Sequence, residues 1–160
     1  MVAFKIMDVR VARAADGTVR AFIDGLGVGS PIVGPVDPLR VGLMLSVFAS
    51  GRDCYWDDGP RVFTTTLTGF SSPDVSPITR GRVASWDVRI PETAGQKPEL
   101  FVTLLSADER RQTSGNPAIG WTRIEATQKE FPLLLGMVQS RYCFYDAGEL
   151  RNTEITEDIR

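Results

Sequence analysis

The chain has 160 residues, with 18 basic and 20 acidic side chains, no histidine and a net charge of −2. That length fits one domain able to bury roughly 70% of its unfolded surface, and no apolar run approaches the ~20 residues that cross a bilayer. Without histidine there is no Ser-His-Asp or Cys-His catalysis, and the acidic balance argues against nucleic acid as the main partner.

In chain order, Met1 to Asp8 has no long apolar core and meets an acid early, so no secretory signal is expected. "FKIMDVRVAR" and "TVRAFID" have the β-branched and aromatic richness of strands, and Asp16-Gly17 between them is a hairpin signal. Gly25, Gly27 and Gly29 spell G-x-G-x-G, but nothing like a dinucleotide-binding unit follows. Gly27 to Pro38 reads as a long loop. "RVGLMLSVF" alternates, which places Val41, Leu43, Leu45 and Val47 on one face of a strand.

"CYWDDGPR", Cys54 to Arg61, holds the most chemistry. Asp57 and Asp58 could serve as an acid/base pair beside an aromatic platform of Tyr55 and Trp56. The preferred reading is instead an Asp-Asp-Gly-Pro turn with its carboxylates pointing apart. "TTTLT", Thr64 to Thr68, reads as an exposed strand. In "RVASWDVRI" the alternation sends Ala84, Trp86, Val88 and Ile90 inward, with Val83, Ser85, Asp87 and Arg89 outward. In "ELFVTLLS" it puts Leu100, Val102 and Leu104 on one side.

Leu133 to Gln139 is a short helical candidate just after Pro132, and "VQSRYCFYD" reads as a strand. Ala147 to Ile159 has helix formers but a weak apolar stripe of Leu150, Ile155 and Ile159, so it reads as a tail that frays or docks on a partner. Cys54 and Cys143 are the only cysteines. With no CxxC there is no zinc knuckle, and packed, reduced thiols are expected. The fold class is therefore all-β: a single antiparallel β-sandwich of about eight strands over residues 1–145, and a short acidic tail or helix, docked on a partner, over 146–160.

From Ser85 to Glu125 a strand with a central Trp ends at Ile90-Pro91. A Leu-x-Val-x-Leu strand and a polar loop follow, and then Ile119-Gly120 opens another strand. This order resembles the second half of a C2 domain, or of the related B9 domains of cilia, over roughly residues 61–135. The Pro that the family places two before the Trp is Ala84 here. The resemblance implies a C2-like sandwich, and its calcium loop would fall near Ser106, Asp108 and Asn116. Only Asp108 is an acid, and Arg110 and Arg111 repel a cation, so neither calcium nor any other metal or cofactor is expected.

Three function classes stay open. The first is a non-catalytic structural or interaction subunit of a larger protein assembly, which binds through sandwich edges, loops and Leu150, Ile155 and Ile159. The second is a calcium-independent module for acidic lipid headgroups, using Arg80, Arg82, Arg110 and Arg111 at about 1 kcal/mol per basic residue. The third is a carboxylate-based hydrolase around Asp57 and Asp58. The first is the expectation, within an intracellular setting, either cytoplasmic or in a cytoskeletal or ciliary compartment.

Overall fold

Asp16 and Gly17 turn the chain where their chemistry favours a turn. In the computed structural model, which describes residues 3–32, 36–67, 76–77, 80–93, 95–106, 119–140 and 142–152, strands β1 (Ala3–Arg13) and β2 (Val19–Gly25) form an antiparallel hairpin. Gly17 takes φ +93°, and Asp16 Oδ1 accepts the Thr18 N–H at 2.9 Å. Strand β3 (Gly29–Pro31) folds back on β2, so the long loop expected from Gly27 contains a strand. Gly27, at φ +74°, makes that turn possible.

The residues fall into two compact units, one of residues 1–67, 88–98 and 126–132, the other of residues 68–87, 99–125 and 133–160. In the first unit, β4 (Tyr55–Asp57) pairs with β1, and β5 (Val62–Thr64) pairs with β4 and with the end of β7 (Arg80–Pro91), all antiparallel. Ile6, Val9, Ile23, Trp56, Phe63 and Ile90 are buried there.

"RVGLMLSVF" is not a strand. Residues Pro38–Ala49 form helix α1, which buries Arg40, Val41, Leu43, Met44 and Val47. Alternation at 41, 43, 45 and 47 coincides with a helical stripe at 40, 44 and 47, and the caps decide between them. Asp37 Oδ1 accepts the Leu39 N–H at 3.0 Å, Pro38 opens the first turn, and Gly51 at φ +86° follows the last. Thr64 and Thr65 are also not an exposed strand. Both are buried: Thr64 Oγ1 donates to the Val88 carbonyl at 3.0 Å, and Thr65 Oγ1 accepts the Val88 N–H at 2.9 Å. Threonine hydroxyls here continue the ladder where strand geometry stops.

In the second unit, β8 (Glu99–Ser106) and β9 (Ile119–Ile124) run antiparallel with Leu104 opposite Gly120, and β6 (Ser76–Pro77) lies parallel to β9. Leu100, Val102, Leu104 and Trp86 are buried as expected, whereas Ala84 is exposed. A Cβ on Gly81 would lie 2.4 Å from the Leu105 carbonyl oxygen, so only glycine allows this approach. Strand β10 (Phe144–Asp146) pairs with β7 and with β11 (Glu149–Arg151). The tail therefore begins as a hairpin rather than a helix, turning at Ala147 (φ +45°) and Gly148 (φ +101°). Residues 153–160, with Ile155 and Ile159, lie outside the described residues.

Helix α2 (Phe131–Val138) begins before Pro132, because proline fits a first helical turn, and Thr127 and Glu130 precede it with a 2.8 Å side-chain hydrogen bond. It takes Val138 from the strand expected in "VQSRYCFYD". The all-β class expected from the alternation is the class observed: mostly β, mostly antiparallel, with two helices among the described residues.

Candidate functional site

Asp57 and Asp58 close the β4–β5 hairpin and point to different partners. Asp57 Oδ1 accepts the Gly59 N–H at 3.2 Å. Asp58 Oδ1 accepts from Ser30 Oγ, Trp56 Nε1 and Arg61 Nη1, each at 3.1 Å. These bonds, the Trp56 indole first, hold the Asp58 carboxyl below its ordinary range. Arg61 completes the cluster from a left-handed backbone, φ +58°. Its Nη2 donates to the Pro31 carbonyl at 2.6 Å, its Nε to Glu92, and its guanidinium lies 5.4 Å from the Trp56 ring centre. One forked side chain thus ties β3, the β4–β5 turn and the residue after β7. Three donors on one Asp58 oxygen make it an anchor, with Trp56 inside the core instead of forming a platform.

A second network anchors α1. Arg40, only 3% exposed, donates from Nε to Gln128 Oε1 at 2.8 Å and from Nη1 to the Pro91 carbonyl at 2.9 Å. Gln128 Nε2 in turn donates to Asp37 Oδ2 at 3.0 Å. Burial lowers the Arg40 pKa from its ordinary value, and the charge of Asp37 opposes that shift.

Arg80 and Arg82 stand exposed on one face of β7. Arg80 lies 3.8 Å from Asp146 and 5.8 Å from the Phe144 ring centre, and Arg82 lies 5.9 Å from that of Tyr142. Arg110, Arg111, Asp108 and Asn116 lie outside the described residues. Leu150 sits half-buried in β11 opposite Tyr145. Cys54 and Cys143 are free and buried, and burial pushes each thiol up to about 11. Among the described residues no group of three or more Cys, Asp and Glu gathers in a way that could hold a metal.

Sequence reasoning passed over the outward face of the β1–β2 hairpin. Asp8 stands opposite Asp24, Arg10 opposite Phe22, and Ala12 opposite Arg20. Arg10 covers the Phe22 ring at 4.8 Å and reaches Asp24 at 3.6 Å. Phe22 lies over Gly29, where a Cβ would meet its ring at 2.4 Å. A shallow hollow of about 490 Å³ opens among Arg10, Ala12, Arg20 and Phe22. The signal was present in the sequence as alternate outward positions carrying Asp8 and Arg10 before an Asp-Gly turn and Arg20, Phe22 and Asp24 after it. At the far end of this hairpin, where Ile6 pairs with Gly25, Met7, Leu26 and Val28 are 54%, 87% and 50% exposed. Comparison of the chain with protein-family models, with curated proteins and with solved structures finds no match.

Proposed function

We propose that the chain is a non-catalytic structural subunit of a larger protein assembly. The observation that carries this reading is the set of large apolar side chains exposed at the β1–β2–β3 end, Met7, Leu26 and Val28. Grouped exposed apolar residues beside charged ones mark surfaces covered by another protein. Asp8 and Asp24 lie on the adjoining rung and disfavour an anionic bilayer at this end. The engagement of Asp57 and Asp58 in turn-closing bonds supports the same reading, since each carboxylate bonds to partners of its own and not to the other.

Recovery of the protein from its native cell should give a complex much heavier than one chain, with partners named by mass spectrometry. Leu26→Asp should abolish the co-purification while the chain stays folded. A native monomer that turns over a small substrate, in a way lost with Asp57→Asn/Asp58→Asn, overturns the reading in favour of the hydrolase. A second reading, headgroup binding through Arg80 and Arg82, has their shared exposed face in its favour. It expects sedimentation with anionic vesicles that fades as salt rises and is lost in Arg80→Ala/Arg82→Ala; absence of sedimentation removes it.

A further inference from the structure

The outward face of the β1–β2 hairpin is polarised along the strands. Acids occupy one rung (Asp8 and Asp24), Arg10 and Phe22 the next, and Ala12 and Arg20 the third. Two carboxylates directly opposite each other repel. Among the described residues Arg10 offsets them, through its 3.6 Å approach to Asp24. At the other end, Arg20 is exposed and has no ion pair among the described residues. A face with unmet negative charge at one end and unmet positive charge at the other is complementary to itself when reversed.

We propose that this face pairs with the same face of a second copy of the chain, about a two-fold axis lying across the strands. Reversal sets Asp24 against Arg20 of the second copy, twice by symmetry, and on the central rung it sets Phe22 and Arg10 each against its own mate, so one like-charge contact stands against two pairs of opposite charge. Asp8 of each copy drops toward the hollow over Ala12 of the other, one rung from Arg10. The alternative two-fold, along the strands, stacks Asp8 on Asp24 of the mate twice and forms no pair of opposite charge, which excludes it. The rung spacing permits the match, because residues two apart on a strand repeat at about 6.6 Å in both copies. This inference rests on the chain being an interaction subunit and supplies one partner for it. The face is small beside the about 800 Å² per partner of a standard interface, so the dimer is reversible and salt-sensitive.

Sedimentation equilibrium of the purified full chain tests this. Wild type should dimerise with increasing concentration up to several hundred micromolar. Arg20→Asp alone and Asp24→Arg alone should each weaken dimerisation at least tenfold, because each places like charges at both symmetric contacts. Mixing the two variants should restore it to within about threefold of wild type. In the mixed dimer the new acid of one variant faces the new base of the other, and the unaltered Asp24 of the first faces the unaltered Arg20 of the second. Unchanged circular dichroism and melting temperature show that the variants are folded. A wild-type chain that stays monomeric overturns the proposal, as does undiminished dimerisation of Arg20→Asp or a mixture that stays monomeric. The outcome is independent of the native recovery experiment. A heavy native complex built on a chain that is monomeric when purified sinks only the self-pairing, and a purified dimer that travels alone in the cell sinks only the larger assembly.

Discussion

Arg61 shows how much one side chain can fix. It adopts φ +58°, costly for a residue with a Cβ, because Asp58, Ser30, the Pro31 carbonyl and Glu92 together outweigh that cost. Arg61→Ala should lower unfolding stability by about 2–3 kcal/mol in denaturant titration, and Arg61→Lys should not recover it, because a point charge cannot replace the fork. Asp58 adds a pH signature. Its folded carboxyl lies below the ordinary 3.8, so its contribution is fully present above that value and is lost as pH falls below it. Asp58→Asn should therefore flatten the acid limb of the stability profile, leaving the share from Asp16 and Asp37, which are lowered too. The two buried thiols, pushed up to about 11, should react with a disulfide reagent at pH 8 only after denaturation. At this scale the sequence announced the Asp-Asp-Gly-Pro turn. It did not announce Ser30 or Glu92, which reach Asp58 or Arg61 from roughly thirty residues away by way of the fold.

Elements were legible where period and punctuation agreed. β1, β2, β7 and β8 carry alternation bounded by turn residues, and they formed. α1 hides behind β-branched and aliphatic residues that happen to alternate, although Asp37-Pro38 before them and Gly51 after them are helix start and stop signals. Asp37→Ala should cost about 1–2 kcal/mol, since it removes a cap and the acceptor that steadies Gln128. β11 was invisible because three residues carry too little pattern to outvote helix-forming neighbours. Its turn places Ala147 at φ +45°, where alanine is strained. Ala147→Asn should raise stability by about 0.5–1 kcal/mol, read as a higher melting temperature.

For the whole molecule, the all-β class followed from strand-forming composition and frequent Gly and Pro turns. The division into two units could not be read, because each is assembled from segments far apart in sequence. Trp86, 7% exposed in the second unit, should be indispensable. Trp86→Ala should cost about 3–5 kcal/mol, enough to unfold a domain of ordinary stability by circular dichroism. The surface that carries the functional proposals was equally hidden, since the pairing of Asp8 with Asp24 and of Ala12 with Arg20 depends on hairpin register rather than on neighbours in sequence.

The bond from Arg61 to Pro31 has a consequence for solution behaviour. β3 ends the first unit's strand order, and an end strand is where a foreign strand can add. This one is three residues long. Pro31 has no N–H to offer, and its carbonyl is already held by Arg61 at 2.6 Å. Release of that carbonyl would open a template at the sheet's border, so heated Arg61→Ala should form fibrillar or amorphous aggregate at temperatures where the wild-type chain still refolds on cooling. The guanidinium that closes a turn thus also occupies the outward carbonyl of a border strand.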